Sequence, residues 1–265
     1  MPRASRYWVK GAAYHLTHRC HNRDFLLRFA RDRDDYRAML RQELQRRFVS
    51  LLSYAITSNH VHLLVTAEYA QDIAGLMQSV QGRFAETYNR RKGRQGAFWS
   101  DRYHATQIDS GDHLWACLKY IDLNMVRAGV VKHPREWSWT AWHELTGSRV
   151  RNRLVDREAL LKRLEGVTWP GFQEHYGRLV DEVVMRNEGL GRDTRWTESI
   201  AVGQPAFVAR VEAELMVNDR RRRLERMQTP DGAWVLREHG EVYGQRVGSR
   251  AEKGLEETEI GCFVM

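Results

Sequence analysis

The sequence has few cysteines, few prolines and no long apolar run, and these scarcities exclude whole classes of protein. Its 265 residues include only three cysteines, Cys20, Cys117 and Cys262. They are too few and too widely separated for a disulfide framework or a CxxC metal site. No apolar stretch approaches the roughly 18 residues of a membrane span, and the N-terminal residues lack the apolar segment of a secretory signal. We therefore expect a cytoplasmic protein that does not enter a membrane.

Acidic residues are scarce relative to basic ones in the first half of the chain. Residues 1–145 contain 22 Lys and Arg against 14 Asp and Glu, which accounts for the whole net charge of +8. Arginine provides most of this excess, and its guanidinium group matches phosphate oxygens in a bidentate manner. A solvated basic surface would have the same composition. The charge therefore indicates a phosphate-bearing partner only if a phosphate-processing site lies within the same residues.

The apolar pattern predicts an α+β fold, in which helices pack on an antiparallel sheet. Alternating or β-prone segments predict strands at 12–18, 51–57, 60–66 and 97–108. Apolar residues at helical spacing predict helices at 32–48, 72–91 and 110–127. The order strand, helix, two strands, helix, strand, helix favours a single sheet covered by helices.

The character of the sequence changes after Pro134, where three tryptophans crowd together. We predict a first domain over residues 1–148. Residues 149–228 contain further segments with helical periodicity and are predicted to form a mainly helical C-terminal appendage. Residues 229–265 are Gly-rich and weakly periodic, so we expect a weakly structured tail.

Two histidines on a predicted strand are the first candidate site residues. In His60-Val61-His62 the imidazoles are two residues apart, and side chains at this spacing project to the same face of a strand. Two adjacent imidazoles make half of a metal site. Two unrelated strand histidines would give the same pattern, so the pair alone does not decide its function.

A tyrosine and an asparagine on a predicted helix are the second pair. Tyr120 and Asn124 are four residues apart and would lie one turn apart on one face. The amide oxygen of Asn124 could complete a divalent-metal site. Tyr120 could equally be an aromatic residue that closes the edge of the core.

These motifs together resemble a known family of DNA-processing enzymes. Asn59-His60-Val61-His62-Leu63-Leu64 resembles the HUH signature (His, hydrophobic, His). The later blocks resemble those of single-tyrosine HUH transposases, most closely the REP-associated tyrosine transposase branch. These blocks are Phe98-Trp99, Arg102-Tyr103, Tyr120-Ile121-x-x-Asn124, Val126-Arg127-Ala128-Gly129-Val130 and Trp137-Ser138-Trp139. The resemblance covers roughly residues 5–145 and implies an HUH, ferredoxin-like core. One departure is Met125, because many relatives have proline after the asparagine.

The resemblance implies a role for each of these residues. His60 and His62 would be metal ligands, Asn124 the third ligand and Tyr120 the nucleophile. The reaction would be cleavage and strand transfer of single-stranded DNA at or near hairpins, through a 5′-phosphotyrosine intermediate. Mg²⁺ or Mn²⁺ is the expected cofactor, since an amide oxygen and solvent suit these harder ions. His104 and Asp122 are nearby in sequence, but neither can be assigned as a general base.

The resemblance also implies a DNA partner, namely hairpin-forming repeats, and a nucleoid-associated location. Basic and aromatic residues could grip phosphates and stack on bases. The candidates for DNA contact are Arg3, Arg6, Tyr7, Lys10, Arg83, Arg90, Arg91, Lys92, Arg94 and Arg102. A solvated tail and a solvated helix end would explain the same clusters. Relatives include both monomers and domain-exchanged homodimers, so the oligomeric state stays open.

Two other functions are compatible with parts of this pattern. A domesticated hairpin-binding protein would keep the scaffold with little cleavage, although the intact His60, His62 and Tyr120 argue against it. A metallohydrolase would need further His or Asp ligands, and the sequence has no HxHxDH or HExxH pattern.

Overall fold

The structure is a computed structural model that describes residues 8–187, 189–218 and 222–238. The strands are β1 Ala13–Arg19, β2 Val49–Ile56, β3 His60–Ala67, β4 His104–Ile108, β5 Ala201–Gly203, β6 Leu224–Gln228 and β7 Trp234–Glu238. The longer helices are α1 Ala30–Leu44, α2 Ala70–Lys92, α3 Asp112–Asp122, α7 Trp169–Arg186 and α9 Pro205–Asn218. Short helices are α4 Asn124–Arg127, α5 Trp142–Leu145, α6 Arg157–Leu161 and α8 Arg195–Glu198.

The strands of the described residues form one sheet in the order β2-β3-β1-β4-β5-β7-β6. β1 lies between β3 and β4 and is antiparallel to both, and β2 is antiparallel to β3. β5 joins β4 in parallel, and β7 and β6 then continue the sheet in antiparallel fashion. The predicted α+β fold is thus confirmed, with one parallel pairing inside an otherwise antiparallel sheet.

Helices cover both faces of the central strands. On one face Tyr36 of α1 contacts Phe84 of α2, with ring centroids 5.2 Å apart, and both side chains are fully buried. Trp99 packs on the same face, stacked on His18 of β1 at 4.4 Å. On the other face α3 buries Leu118 and Ile121 against the sheet. The main core therefore consists of two apolar layers, one on each face of β1 to β4.

The C-terminal region differs from its prediction in one respect. It contains helices as predicted, but it also contributes β5, β6 and β7, which the sequence analysis did not predict. These strands are three to five residues long, too short for an alternating pattern to stand out. Sheet pairing with β4 and burial of Val202 and Leu236 stabilise them instead.

Three predicted elements have different limits in the structure. Residues 229–265 were predicted to be weakly structured, but Trp234–Glu238 forms β7 and Val235 is buried in the core. Residues 239–265 lie outside the described part of the chain. The predicted strand 97–108 is regular only from His104, because residues before it cross the ends of β1 and α2 as a loop. The predicted helix 110–127 is divided at Leu123, whose ψ of 2° departs from helical geometry. The domain boundary near residue 148 stays a prediction.

Among the described residues, no helix has both the length and the apolar character needed to cross a membrane.

Candidate active site

Polar residues converge on one face of the three central strands, the face that α3 covers. Directly opposed residues of antiparallel strands share a face. His60 lies opposite Arg19, and His62 lies opposite Thr17. His15 is two residues before Thr17 and therefore shares that face. The register of the two strands thus places three imidazoles and one guanidinium group next to each other on one face of the sheet.

His60 begins β3 and is held by the turn that precedes it. Its Nδ1 lies 2.9 Å from Thr57 Oγ1 and 2.7 Å from Asn59 Oδ1. The Thr57 hydroxyl donates to the carbonyl of His60, so it can only accept from the ring, and Asn59 Oδ1 is also an acceptor. His60 Nδ1 must therefore donate, which leaves the lone pair on Nε2. A hydrogen bond donated by the second ring nitrogen likewise orients metal-ligating histidines in proteins.

His62 is fully buried and makes contacts through both ring nitrogens. Its Nδ1 lies 2.8 Å from His15 Nε2 and 3.3 Å from Thr17 Oγ1. On the other side, Asn124 Nδ2 lies 2.9 Å from His62 Nε2. The His60 and His62 rings are 4.7 Å apart between centroids. The predicted pair therefore shares one face of the strand.

Asn124 reaches His62 although the helix that carries Tyr120 is interrupted at Leu123. The break is local, because Leu123 N still donates to Lys119 O and Arg127 N donates to Leu123 O. The chain thus keeps its helical direction, and Asn124 begins α4 on the side of the sheet face. An amide can present either its oxygen or its nitrogen by rotation about the last side-chain bond.

Tyr120 lies over the histidines of its own chain. Its ring centroid is 5.9 Å from those of His15 and His62, in edge-to-face arrangements. The Arg127 guanidinium carbon lies 3.9 Å from the Tyr120 ring centroid. Trp196 of α8 packs on Tyr120 from the C-terminal region, with centroids 5.9 Å apart. One chain therefore brings together all four predicted residues.

Burial and two arginines set the ionisation of this group. Burial lowers the pKa of His15 and His60 to about 3, and it lowers the pKa of His62 well below its usual value. Burial raises the pKa of the Tyr120 phenol, while the positive charges of Arg127 and Arg19 act in the opposite direction. The histidines are thus neutral at pH 7, which is the form that binds metals.

The donor set fits a divalent metal ion. Nε2 of His60 and Nε2 of His62 both carry lone pairs in the tautomers that their partners favour. Asn124 would supply an amide oxygen. No group of three or more His, Cys, Asp or Glu residues suited to a metal is found in the described part of the chain. A site here would consequently depend on the amide and on non-protein ligands.

Asp122 and His104, the two residues considered as general bases, both hydrogen-bond to residues of the C-terminal region. Asp122 is buried and accepts hydrogen bonds from Thr140 Oγ1, from Tyr176 Oη at 2.6 Å and from Trp142 N at 3.1 Å. His104 Nε2 lies 2.9 Å from the carbonyl oxygen of Ser199. Both side chains join the core to residues of the C-terminal region.

The residues predicted to contact DNA have different environments. Arg83 is 2.6 Å from Glu43, and Arg91 pairs with Asp32 and, at 3.6 Å, with Asp35. Arg90 pairs with Glu86 at 3.3 Å, Lys10 with Glu68 at 2.5 Å, and Lys92 lies 4.9 Å from the Phe29 ring centroid. Arg94 donates to the carbonyls of its own loop, and Arg102 is exposed. The other three candidates lie outside the described residues, namely Arg3, Arg6 and Tyr7. Intramolecular carboxylates thus already compensate part of the predicted basic cluster, and DNA contact by all ten residues stays a prediction.

Three residues of the site were not singled out in the sequence. His15 and Arg19 belong to β1, and their proximity to β3 follows only from the register of the two strands. Trp196 is separated from Tyr120 by 76 positions, and no motif links them. The alternation of β1 would have placed His15 on the face of Thr17, but it could not have shown which strand lies beside it.

Comparison with known proteins finds a family similar to the segment that contains this site. Residues 8–124, which include all four predicted site residues, match the family model described as "Transposase IS200 like". This segment of the chain is similar to that family, which confirms the resemblance found in the sequence. No curated protein matches the sequence.

Solved structures of related proteins share 19% sequence identity with the chain. One is a REP-associated tyrosine transposase bound to a REP hairpin, with a TM-score of 0.48, covering 60% of this chain and 96% of the other. Another is a proposed transposase from Deinococcus radiodurans R1, with a TM-score of 0.33, covering 47% of this chain and 97% of the other.

Proposed function

We propose that the protein is a metal-dependent nuclease and strand transferase that acts on single-stranded DNA at or near hairpins. The observation that carries this proposal is the position of Tyr120 beside His62 of the same chain, at 5.9 Å between ring centroids. The similarity to the family supports a transposase, and the site supplies both a nucleophile and a neutral histidine pair. A site assembled within one chain also favours a catalytically complete monomer.

In this proposal His60 Nε2, His62 Nε2 and the amide oxygen of Asn124 hold the metal. Asn124 Nδ2 now donates to His62 Nε2, so its amide would rotate to present the oxygen. Mg²⁺ or Mn²⁺ bound there would withdraw charge from a non-bridging oxygen of the scissile phosphate. His60 and His62 keep their orientations because Thr57, Asn59 and His15 hold their Nδ1 atoms.

Tyr120 would attack the phosphorus atom. Its phenol oxygen forms a bond to phosphorus as the bond from phosphorus to the 3′ oxygen breaks. The phenol loses its proton, and the departing 3′ oxygen takes one up and becomes a hydroxyl. The product is a 5′-phosphotyrosine, and attack by another 3′-hydroxyl would reverse the step and join two strands. The cleavage needs no external energy source, since one phosphodiester is exchanged for another.

Arg127 is the chain's own electrostatic contribution to this step. Its guanidinium carbon lies 3.9 Å from the Tyr120 ring centroid, and among the described residues its Nη2 has no hydrogen-bond partner. A guanidinium with one buried, unused donor is suited to a phosphate oxygen that gains charge in the transition state. Arg19, whose charge also lowers the pKa of Tyr120, adds positive potential on the same side.

The substrate class follows from the charge of the core and from the resemblance to the REP-associated branch. In the described part of the chain, Lys92 and Arg102 are exposed and have no carboxylate partner, which makes them the best candidates for backbone contacts. Among the remaining predicted contacts, Arg83 and Arg91 would first have to leave their carboxylate partners.

The test is a cleavage assay with hairpin DNA that carries a single-stranded flank, labelled at either end. Wild-type protein with Mg²⁺ or Mn²⁺ should release one labelled fragment and retain the other in a protein-bound band. EDTA should abolish both products and leave hairpin binding in place. Tight binding without any cleavage would instead show a hairpin-binding protein, and cleavage that continues in Tyr120→Phe would show a metallohydrolase.

A further inference from the structure

A chain of buried hydrogen bonds connects the C-terminal region to the histidine pair. The carbonyl oxygen of Trp196 lies 2.8 Å from His15 Nδ1, and His15 Nε2 lies 2.8 Å from His62 Nδ1. His15 and His62 are both fully buried, and their rings are stacked at an interplanar angle of 16°. His15 therefore has no direct contact with bulk solvent, and its two ring nitrogens are both used.

The direction of these hydrogen bonds is fixed by the carbonyl. A carbonyl oxygen can only accept, so His15 Nδ1 carries a hydrogen and donates to Trp196. In a neutral imidazole the second nitrogen is then an acceptor, and His15 Nε2 must accept from His62 Nδ1. His62 is thereby restricted to the tautomer with hydrogen on Nδ1.

This tautomer is the one that a metal ligand needs. With hydrogen on Nδ1, the lone pair of His62 is on Nε2, which faces Asn124. The opposite tautomer would direct an N–H group toward the position that the metal would occupy. His15 itself is excluded as a ligand, since its Nε2 is engaged by His62 at 2.8 Å.

The Trp196 carbonyl lies near a hydroxyl of β4 that bonds more closely to the neighbouring Ser199 carbonyl. Thr106 Oγ1 lies 3.3 Å from the Trp196 carbonyl oxygen and 2.7 Å from that of Ser199. His104 Nε2 lies 2.9 Å from the same Ser199 oxygen. Trp196 is only 3% exposed and contacts Tyr120. Residues 194–199, which lie outside the family-matched segment 8–124, thus form a wall of the site.

We propose that His15 is a positioning residue that fixes the tautomer of His62, and that residues 194–199 orient His15 through the Trp196 carbonyl. The role of this arrangement in cleavage rests on the proposed function, but the tautomer of His62 does not depend on cleavage. The C-terminal region, whose role the sequence left open, would thereby complete the metal site of the core.

The direct test is the tautomer of His62 in the full-length, metal-free protein. Long-range ¹H–¹⁵N spectra of histidine-labelled protein in EDTA distinguish a protonated ring nitrogen from an unprotonated one. We expect hydrogen on Nδ1 and none on Nε2 for His62, and the same for His15. A protonated Nε2 on wild-type His62 would overturn the proposal without any variant and irrespective of nuclease activity.

Two substitutions at His15 separate positioning from packing. His15→Phe keeps a buried ring without hydrogen bonds, so His62 should populate both tautomers. Its Mn²⁺ dissociation constant, measured by electron paramagnetic resonance, should rise about 10- to 100-fold. His15→Gln offers an acceptor to His62 and a donor to Trp196, so it should restore most of the affinity. Equal Mn²⁺ affinity in the wild type and both variants would contradict the role of His15.

The contribution of the C-terminal segment is tested at Thr106. Thr106→Val removes the hydroxyl that bonds the Ser199 carbonyl and contacts the Trp196 carbonyl, while keeping the size of the side chain. We expect shifted ¹⁵N resonances for His15 and a smaller rise in the Mn²⁺ dissociation constant than in His15→Phe. Unchanged His15 resonances would remove residues 194–199 from the proposal. Thr17→Val is the matched control on the same face, because its hydroxyl makes only the longer 3.3 Å contact to His62.

Discussion

His60→Ala and His62→Ala should abolish cleavage equally but destabilise the protein unequally. Both substitutions remove a proposed metal ligand. His62, however, is fully buried between His15 and Asn124, whereas His60 is half-buried at the end of the turn that precedes β3. Activity and stability should therefore respond differently to two substitutions that are two residues apart.

The size of the difference follows from the partners left behind. His62→Ala leaves the acceptor His15 Nε2 and the donor Asn124 Nδ2 without their buried hydrogen-bond partner. A buried polar group without a partner costs about 1–3 kcal/mol, so we expect a loss of roughly 2–4 kcal/mol, given that water can enter part of the space. After His60→Ala, the Thr57 hydroxyl keeps its bond to the backbone carbonyl of residue 60, and half-buried Asn59 can reach water, so the loss should be less than about 1 kcal/mol.

Urea unfolding followed by tryptophan fluorescence, with EDTA present, measures the two losses without a metal contribution. The loss of stability expected for His62→Ala corresponds to a fall in melting temperature of roughly 5–15 °C. Hairpin binding should be largely retained in both variants at a temperature where both are folded. Equal stability of the two variants would refute the hydrogen-bonded position assigned to His62. Loss of binding in parallel with cleavage would show that the histidines are structural.

Three further predictions concern charged residues around the core. Glu144 is fully buried and accepts from Arg37 at 2.9 Å and from two backbone N–H groups. Glu144→Ala should therefore lower the free energy of unfolding by about 3–5 kcal/mol, measured by urea unfolding. Asp122 has a pKa raised by burial to about 7. Its folded pKa exceeds the unfolded value, so the folded state binds the proton more tightly. The free energy of unfolding should therefore fall by up to about 1.4 kcal/mol per pH unit as the pH rises from roughly 4 to 7. Asp122→Asn should flatten that slope in pH-dependent unfolding, and an unchanged slope would contradict the assignment. Arg127→Ala should lower the single-turnover cleavage rate about 10²- to 10³-fold, with unchanged hairpin affinity, and Arg127→Lys should lose less. A normal rate in Arg127→Ala would exclude its contact with the phosphate.

Short-range periodicity predicted the two residue pairs at the centre of the candidate site, and the family resemblance joined them into one site. Side chains two residues apart on a strand share a face, which joined His60 and His62. A four-residue spacing on a helix did the same for Tyr120 and Asn124, even though the helix breaks at Leu123. The α+β fold followed from the order of segments whose periodicity is long enough to recognise.

Contacts distant in sequence could not be predicted in this way. His15 reaches His62 only because β1 and β3 pair in one register, and Trp196 reaches His15 across 181 residues. The alternation within β1 contains no information about either partner. Tertiary pairing explains why these contacts were missed.

Charge patterns were the least informative part of the sequence. Arg91 stands in a basic run, yet in the fold it pairs with Asp32, a residue 59 positions earlier. A run of arginines shows how much charge is present but not how much of it is already compensated. The strands β5 and β7 were missed for a different reason. They have only three to five residues, and they depend on neighbours in the sheet.

The central claim is that the phenol of Tyr120 becomes covalently linked to DNA. The most direct measurement is mass spectrometry of the protein after reaction with an oligonucleotide hairpin and Mn²⁺, followed by protease and nuclease digestion. We predict a peptide containing Tyr120 with a mononucleotide attached through a 5′ phosphate, and no such peptide from Tyr120→Phe. An adduct on another residue, or cleavage of the hairpin without any adduct, would contradict the account.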